Sequence, residues 1–153
     1  MIALVDYGLG NLRSVEKALA AAGAQVKMTD KAADILAADK VVLPGVGAFG
    51  DGMAGLRARG LVEVLKTVAA RGVPLLGICL GMQLLFEASE EGEAIEQGKP
   101  AGLSLLPGQV RRFPEMGLKI PQTGWNQLIF GEDISLLHGL ENGCYAYFNH
   151  SYY

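Results

Sequence analysis

The sequence predicts an α/β fold: an open, mostly parallel sheet with helices on both faces, and antiparallel strands added in the second half. Three observations predict it. As far as residue 88, short apolar runs suited to buried strands alternate with stretches whose apolar residues recur at helical spacing. Glycine is abundant in a chain that is half apolar, as tight connections between strands and covering helices require. Beyond residue 100 the pattern changes to short strands with turns between them. A chain of 153 residues is expected to form one domain, residues 1–153, with a sizeable core.

Ile2-Ala3-Leu4-Val5, closed by Asp6, reads as a parallel strand, and Tyr7-Gly8-Leu9-Gly10-Asn11 as the loop after it. Asn11 is a good N-cap for a helix that carries Leu12, Val15, Leu19 and Ala22 on one face and stops at Gly23. Gly8 and Gly10 invite a dinucleotide-binding reading. The third glycine of that fingerprint would fall at Arg13, and no acidic strand end follows at the usual distance, so the reading is weak. A strand over 25–29, a short helix over 32–36 and a strand over 40–43 come next.

Residues 44–53, Pro-Gly-Val-Gly-Ala-Phe-Gly-Asp-Gly-Met, read as a glycine-rich loop at the carboxyl edge of the sheet. Its backbone N–H groups could serve as an oxyanion hole, and a plain strand-to-helix turn is the alternative. Helical patterns over 53–59 and 61–70 end at Arg71-Gly72. A strand over 73–78 then runs into Gly77-Ile78-Cys79-Leu80-Gly81, with a helix expected over 80–88. Gly-x-Cys-x-Gly between strand and helix is the pattern of a nucleophile elbow, which strains its central residue and points the side chain over the sheet edge. At a helix N-terminus the dipole and unpaired N–H groups favour thiolate. A buried structural cysteine is the alternative. If the elbow is real, the glycine-rich loop supplies one oxyanion donor and the N–H of Leu80 the other.

Residues 89–100 read as a charged surface loop. Short strands are expected over 103–106, 108–113 and 118–120 and around Trp125-Asn126, with a helical turn over 133–137 and a strand over 143–148. The chain stops on Asn149-His150-Ser151-Tyr152-Tyr153, at the end of an aromatic strand with nothing to cover it, and truncation is expected on that ground.

A net charge of −3 and the lack of a basic block argue against nucleic acid, Arg111-Arg112 reading as a solvated strand end. No apolar run reaches bilayer length, which leaves no membrane partner and a cytoplasmic expectation. Cys79 and Cys144 match neither a disulfide framework nor a zinc pattern, and no metal or cofactor is expected. A cysteine nucleophile needs a base, and the sequence offers only His138 and His150. His138 reads as a loop or helix-end residue, whereas His150 follows a strand and could face the active edge.

Asp6-Tyr-Gly-Leu-Gly-Asn-Leu-Arg-Ser-Val15, Pro44-Gly-Val-Gly-Ala-Phe-Gly50, Gly77-Ile-Cys-Leu-Gly-Met-Gln83 and Gly124-Trp-Asn126 resemble, in order, the motifs of one family. It is the glutamine amidotransferase subunit of imidazole glycerol phosphate synthase, a class I triad glutaminase of histidine biosynthesis. The resemblance implies a flavodoxin-like class I amidotransferase fold, with Cys79 attacking the glutamine carboxamide to give a thioester and ammonia. It places Leu80, Gly45, Val46 and Gly47 at the oxyanion, Gln83, Asn149, His150, Ser151 and Tyr152 around L-glutamine, and Asn11, Pro121 and Trp125 at the partner interface. The implied partner is a barrel-shaped synthase subunit, bound as a heterodimer, which uses the ammonia to make imidazole glycerol phosphate and AICAR.

Two departures stand out. Gln122-Thr123 occupy the place of the family's His-Met, and the family's catalytic His and Glu lie in a Phe-His-Pro-Glu-Lys-Ser type motif that this sequence lacks. The chain by itself is therefore expected to hydrolyse glutamine negligibly. Two other readings remain open: a different elbow-type cysteine hydrolase with His150 as base, and a non-catalytic module that docks on the synthase barrel.

Overall fold

The sheet is built outward from the first apolar run. In the computed structural model, which describes residues 1–91, 101–131 and 134–153, that run is β1 (Ile2–Val5), with Ala3, Leu4 and Val5 fully buried. The chain divides into two units, residues 1–111 and 112–153. In the first, β1 pairs in parallel with β2 (Val26–Thr29) on one side and β3 (Lys40–Leu43) on the other. A fourth parallel strand, β4 (Leu75–Gly77), joins β3, and the order is β2-β1-β3-β4. Strands flanked on both sides and covered on both faces read as unbroken apolar runs, as β1 and residues 41–43 of β3 do.

Chain order and handedness place the helices. The step from β1 to β2 runs one way across the sheet, and the steps to β3 and β4 run the other way. Right-handed crossovers therefore put α1 (Leu12–Ala21) on one face, and α2 (Ala32–Leu36), α3 (Phe49–Ala58) and α4 (Leu61–Ala70) on the other. The packing of α4 against both α2 and α3 agrees with this. Ile35, Phe49, Met53, Leu56, Leu61, Leu65 and Val68 form the core on that side. On α1, Leu12, Val15 and Leu19 are only half-buried and Ala22 is exposed.

Several expectations need correction. The glycine-rich loop is shorter than its composition indicates, because α3 already starts at Phe49 and leaves only residues 44–48 as loop. The elbow helix, α5 (Leu80–Gln83), is one turn long and does not run to residue 88. It closes with 3-10 bonds, Leu85 and Phe86 donating to the carbonyls of Met82 and Gln83 at 3.1 and 3.2 Å, and the carbonyls that follow take partners from another segment. Leu103, Leu105 and Ser104 donate their N–H groups to the carbonyls of Leu84, Leu85 and Phe86 at 2.9, 2.8 and 3.2 Å, and Gly102 donates to Glu87 at 2.9 Å. For the same reason residues 103–106 form no strand, and Ser104 turns the backbone at φ 54°. The short pair β5 (Ala88–Ser89) and β6 (Gln109–Val110) is parallel, where the second half was expected to be antiparallel. Ser89 thus lies in a strand, and the rest of the expected surface loop from residue 92 to 100 is outside the described residues.

The second unit is a hairpin. β7 (Gln122–Gln127) and β8 (Tyr145–His150) pair antiparallel, with Trp125 opposite Tyr147. β8 begins two positions later than residue 143, since Gly143 and Cys144 belong to the turn that returns the chain to Leu128. Residues 118–120 are not a strand. A 3-10 turn forms over Ser135–Leu137, and Asp133, where a helical turn was expected to start, is outside the described residues. No helix among the described residues is long and apolar enough to cross a membrane.

Candidate active site

Cys79 sits between β4 and α5 with φ 54° and ψ −118°, the conformation of the first central residue of a type II′ turn, where glycine is the usual occupant. A side chain held there costs about 1–3 kcal/mol, and the surroundings must enforce it. They do so through the backbone. Ile78 donates its N–H to the Leu43 carbonyl at 3.0 Å, extending the β3–β4 ladder up to the turn. Met82 and Gln83 then donate to the Cys79 carbonyl at 3.0 and 3.1 Å, so the helix starts on the cysteine itself. The two flanking glycines are required by close approach. A Cβ at Gly77 would lie 2.6 Å from the Met82 nitrogen, and one at Gly81 would collide with the Leu43 carbonyl. The Cys79 side chain is exposed, which removes the buried-structural-cysteine alternative. Because α5 has a single turn, the favourable field on the thiol is that of its first-turn N–H groups alone.

The loop after β3 packs on the start of this helix. Gly45 is buried so closely that a Cβ there would lie 2.9 Å from both Leu80 Cβ and the Gly81 nitrogen, while Val46 and Gly47 are exposed. Leu80 is itself buried, and as the first residue of α5 its N–H has no acceptor within the helix. Gln83, four residues after Cys79 and so on the same side of the turn, is 8% exposed. The structure thus brings Cys79, Leu80, Gly45 and Gln83 together in one unit.

Two residues at this place escaped the sequence reading. The Tyr7 hydroxyl donates to the Pro44 carbonyl at 2.7 Å, at the entry to the loop. The Phe49 N–H donates to Glu91 Oε2 at 2.8 Å, at its exit. Burial, with a smaller contribution from negative charge on Cys79, pushes the Tyr7 hydroxyl well above the usual tyrosine range. An aromatic after the first strand and a carboxylate in an acidic run were the only signals available.

The remaining candidates, Asn11 apart, lie in the second unit. Asn149, His150, Ser151 and Tyr152 follow one another at the end of β8. Asn149 Oδ1 accepts from Thr123 Oγ1 at 3.1 Å, and Ser151 accepts at its carbonyl from the Phe113 N–H at 3.0 Å. Tyr152 bridges Arg112. His150 Nδ1 lies 2.8 Å from the Tyr152 carbonyl, which fixes the proton on Nδ1, and the ring packs edge-on to Phe113 at 5.0 Å. His138 is exposed at the end of the 3-10 turn, as a loop residue should be. Among the interface candidates, Asn11 spends its side chain capping α1, accepting from the Ser14 N–H at 3.3 Å. Pro121 is exposed, and Trp125 is 68% exposed with its ring edge-on to Tyr147. Gln122 donates to Asn126 Oδ1 at 2.6 Å, so both residues that replace His-Met are bonded within the hairpin. Among the described residues no three His, Cys, Asp or Glu side chains gather as a metal would need.

A strained, exposed thiol above the carboxyl edge of a parallel sheet, with a neighbouring glycine loop packed on the helix start, defines an elbow-type α/β protein equipped for nucleophilic attack. The family model for glutamine amidotransferase class-I matches residues 3–153, and the chain belongs to that family. It is 55% identical to the imidazole glycerol phosphate synthase subunit HisH of Moorella thermoacetica, over 99% of this chain and 70% of that protein. It is 51% identical to the HisH of Bacillus mycoides, over 100% of this chain and 70% of that one, and 52% identical to that of Natronomonas pharaonis, over 99% and 69%. A solved glutamine amidotransferase structure, at 19% identity, superposes with a TM-score of 0.72 over 97% of this chain and 71% of its own, in agreement with the fold.

Proposed function

We propose that the chain is the glutaminase subunit of an imidazole glycerol phosphate synthase, supplying ammonia to a barrel-shaped partner in the histidine biosynthesis of the cytoplasm. The observation that carries this is the backbone of Cys79: a non-glycine residue is held at positive φ beside a loop with donor N–H groups. In the reaction the Cys79 thiolate attacks the carboxamide carbon of glutamine, and the resulting oxyanion is received by the N–H of Leu80 and the loop of Gly45, Val46 and Gly47. The C–N bond breaks, nitrogen takes up a proton and leaves as ammonia, and water hydrolyses the thioester to glutamate. Gln83 is assigned to glutamine binding, as is the Asn149-His150-Ser151-Tyr152 segment, in which Thr123 holds Asn149 through its hydroxyl. Asn11, Pro121 and Trp125 face the synthase.

The step without an assigned residue is proton transfer. The first unit contains no histidine, and the resemblance gives His150 a place around glutamine, not the role of base. The chain by itself is therefore expected to turn over glutamine negligibly while its thiol reacts with a glutamine-analogue chloromethyl ketone. Mass spectrometry should place that label on Cys79. Glutamine turnover by this chain that disappears in Cys79→Ala would make His150 the base. Labelling by ester or lactone probes alone would favour a different cysteine hydrolase, and tight binding to the barrel with no thiol reactivity would favour a docking module.

A further inference from the structure

We propose that Tyr7 is a positioning residue for glutamine hydrolysis: its buried hydroxyl grips the Pro44 carbonyl and thereby sets the orientation in which the oxyanion loop leaves the sheet. The inference rests on the glutaminase reading above. A peptide unit is planar, so holding the Pro44 oxygen also fixes the direction of the Gly45 N–H on the other side of the same plane. That plane is the first of the loop containing Gly45, Val46 and Gly47. Everything around it is close. A Cβ on Gly45 would fall on the Tyr7 hydroxyl and, at 2.9 Å, on Leu80 Cβ and the Gly81 nitrogen. The hydroxyl, the loop and the start of the elbow helix therefore meet around one glycine.

Tyr7 has no freedom to release its hold. It is 1% exposed, and its ring lies against Gly55 of α3, where a Cβ would stand 3.2 Å from the ring and 2.6 Å from the Tyr7 carbonyl. Burial keeps the phenol protonated, so it remains a donor throughout the working range. Without that donor the Pro44 carbonyl, buried beside the core, would have to turn toward another partner and carry the Gly45 N–H with it. An oxyanion site loses force steeply when a donor is misdirected.

The test compares two probes of the same thiol. Glutamate γ-semialdehyde, the aldehyde analogue of glutamine, adds reversibly to Cys79: an S–C bond forms, the thiol proton goes to oxygen, and the tetrahedral product uses the oxyanion site. Iodoacetamide alkylates the same sulfur by displacing iodide and makes no oxyanion. Tyr7→Phe, which keeps the ring, is expected to weaken the aldehyde about tenfold or more and to leave the iodoacetamide rate within about twofold. If Tyr7→Phe folds poorly, 4-fluorophenylalanine at position 7 fills the hydroxyl's space without donating, with the same expectation. Equal aldehyde affinity in the variant and the original chain, or a parallel fall with both probes, overturns the positioning role and leaves the glutaminase reading standing. Failure of the aldehyde to bind the unaltered chain overturns the glutaminase reading, and this inference with it.

Discussion

Cys79 occupies a backbone conformation that glycine would occupy freely. Relief of about 1–3 kcal/mol of strain outweighs the 0.5–1 kcal/mol or so of extra chain entropy that glycine loses on folding. Cys79→Gly is therefore expected to abolish thiol chemistry and raise stability by about 1 kcal/mol, read from urea midpoints. A second single-residue test concerns Asp34, whose carboxylate takes Lys27 Nζ at 2.8 Å and the Thr29 hydroxyl at 2.8 Å. These bonds, Lys27 first, lower its pKa below the ordinary carboxylate value. A depressed native pKa means stability that is present at neutral pH and lost as pH falls through that lowered value. Asp34→Asn should accordingly lower the urea midpoint at pH 7, with the gap to the original chain closing in acid. At this scale the sequence was legible where the chemistry is local. Gly77, Cys79 and Gly81 declare the elbow within five positions, whereas Tyr7 reaches Pro44 across 37 positions and Glu91 reaches Phe49 across 42. No pattern in the sequence connects partners that far apart.

The central strands β1 and β3 and the helices α3 and α4 matched their apolar periodicity because each buries the residues that carry it. The pattern also ranked the helices of the first unit unequally. Leu65 on α4 is fully buried between neighbouring elements, while Leu19 on α1 is only half-buried. Leu65→Ala should cost about 2–5 kcal/mol and Leu19→Ala about 1 kcal/mol or less, measured by chemical denaturation. Where periodicity failed, backbone competition had won. Leu84, Leu85 and Phe86 continue the elbow helix in sequence, but their carbonyls are claimed by residues 103–105. Glycine density misled at residues 49–52 because Gly50 and Gly52 lie inside α3, and Gly52 is a contact point for Leu84 that a Cβ would crowd at 3.0 Å.

For the molecule as a whole, function was legible from four short motifs, and fold from their spacing along alternating strands and helices. The base for the thiol was not, since neither histidine carries a signature of that role. Trp125 offers a test at this scale. It is 68% exposed, so Trp125→Ala should change stability by no more than about 0.5 kcal/mol while weakening affinity for the synthase barrel about thirtyfold, as calorimetric titration would report. The thiol lies in the first unit and Trp125 in the second. Loss of one need not disturb the other, and a chain carrying Cys79→Ala should still occupy synthase subunits. Mixed with catalytically competent glutaminase subunits of the same synthase it would act as a competitor by stoichiometry, starving each barrel it holds of ammonia, and total output would follow the ratio of the two rather than the amount of the competent one.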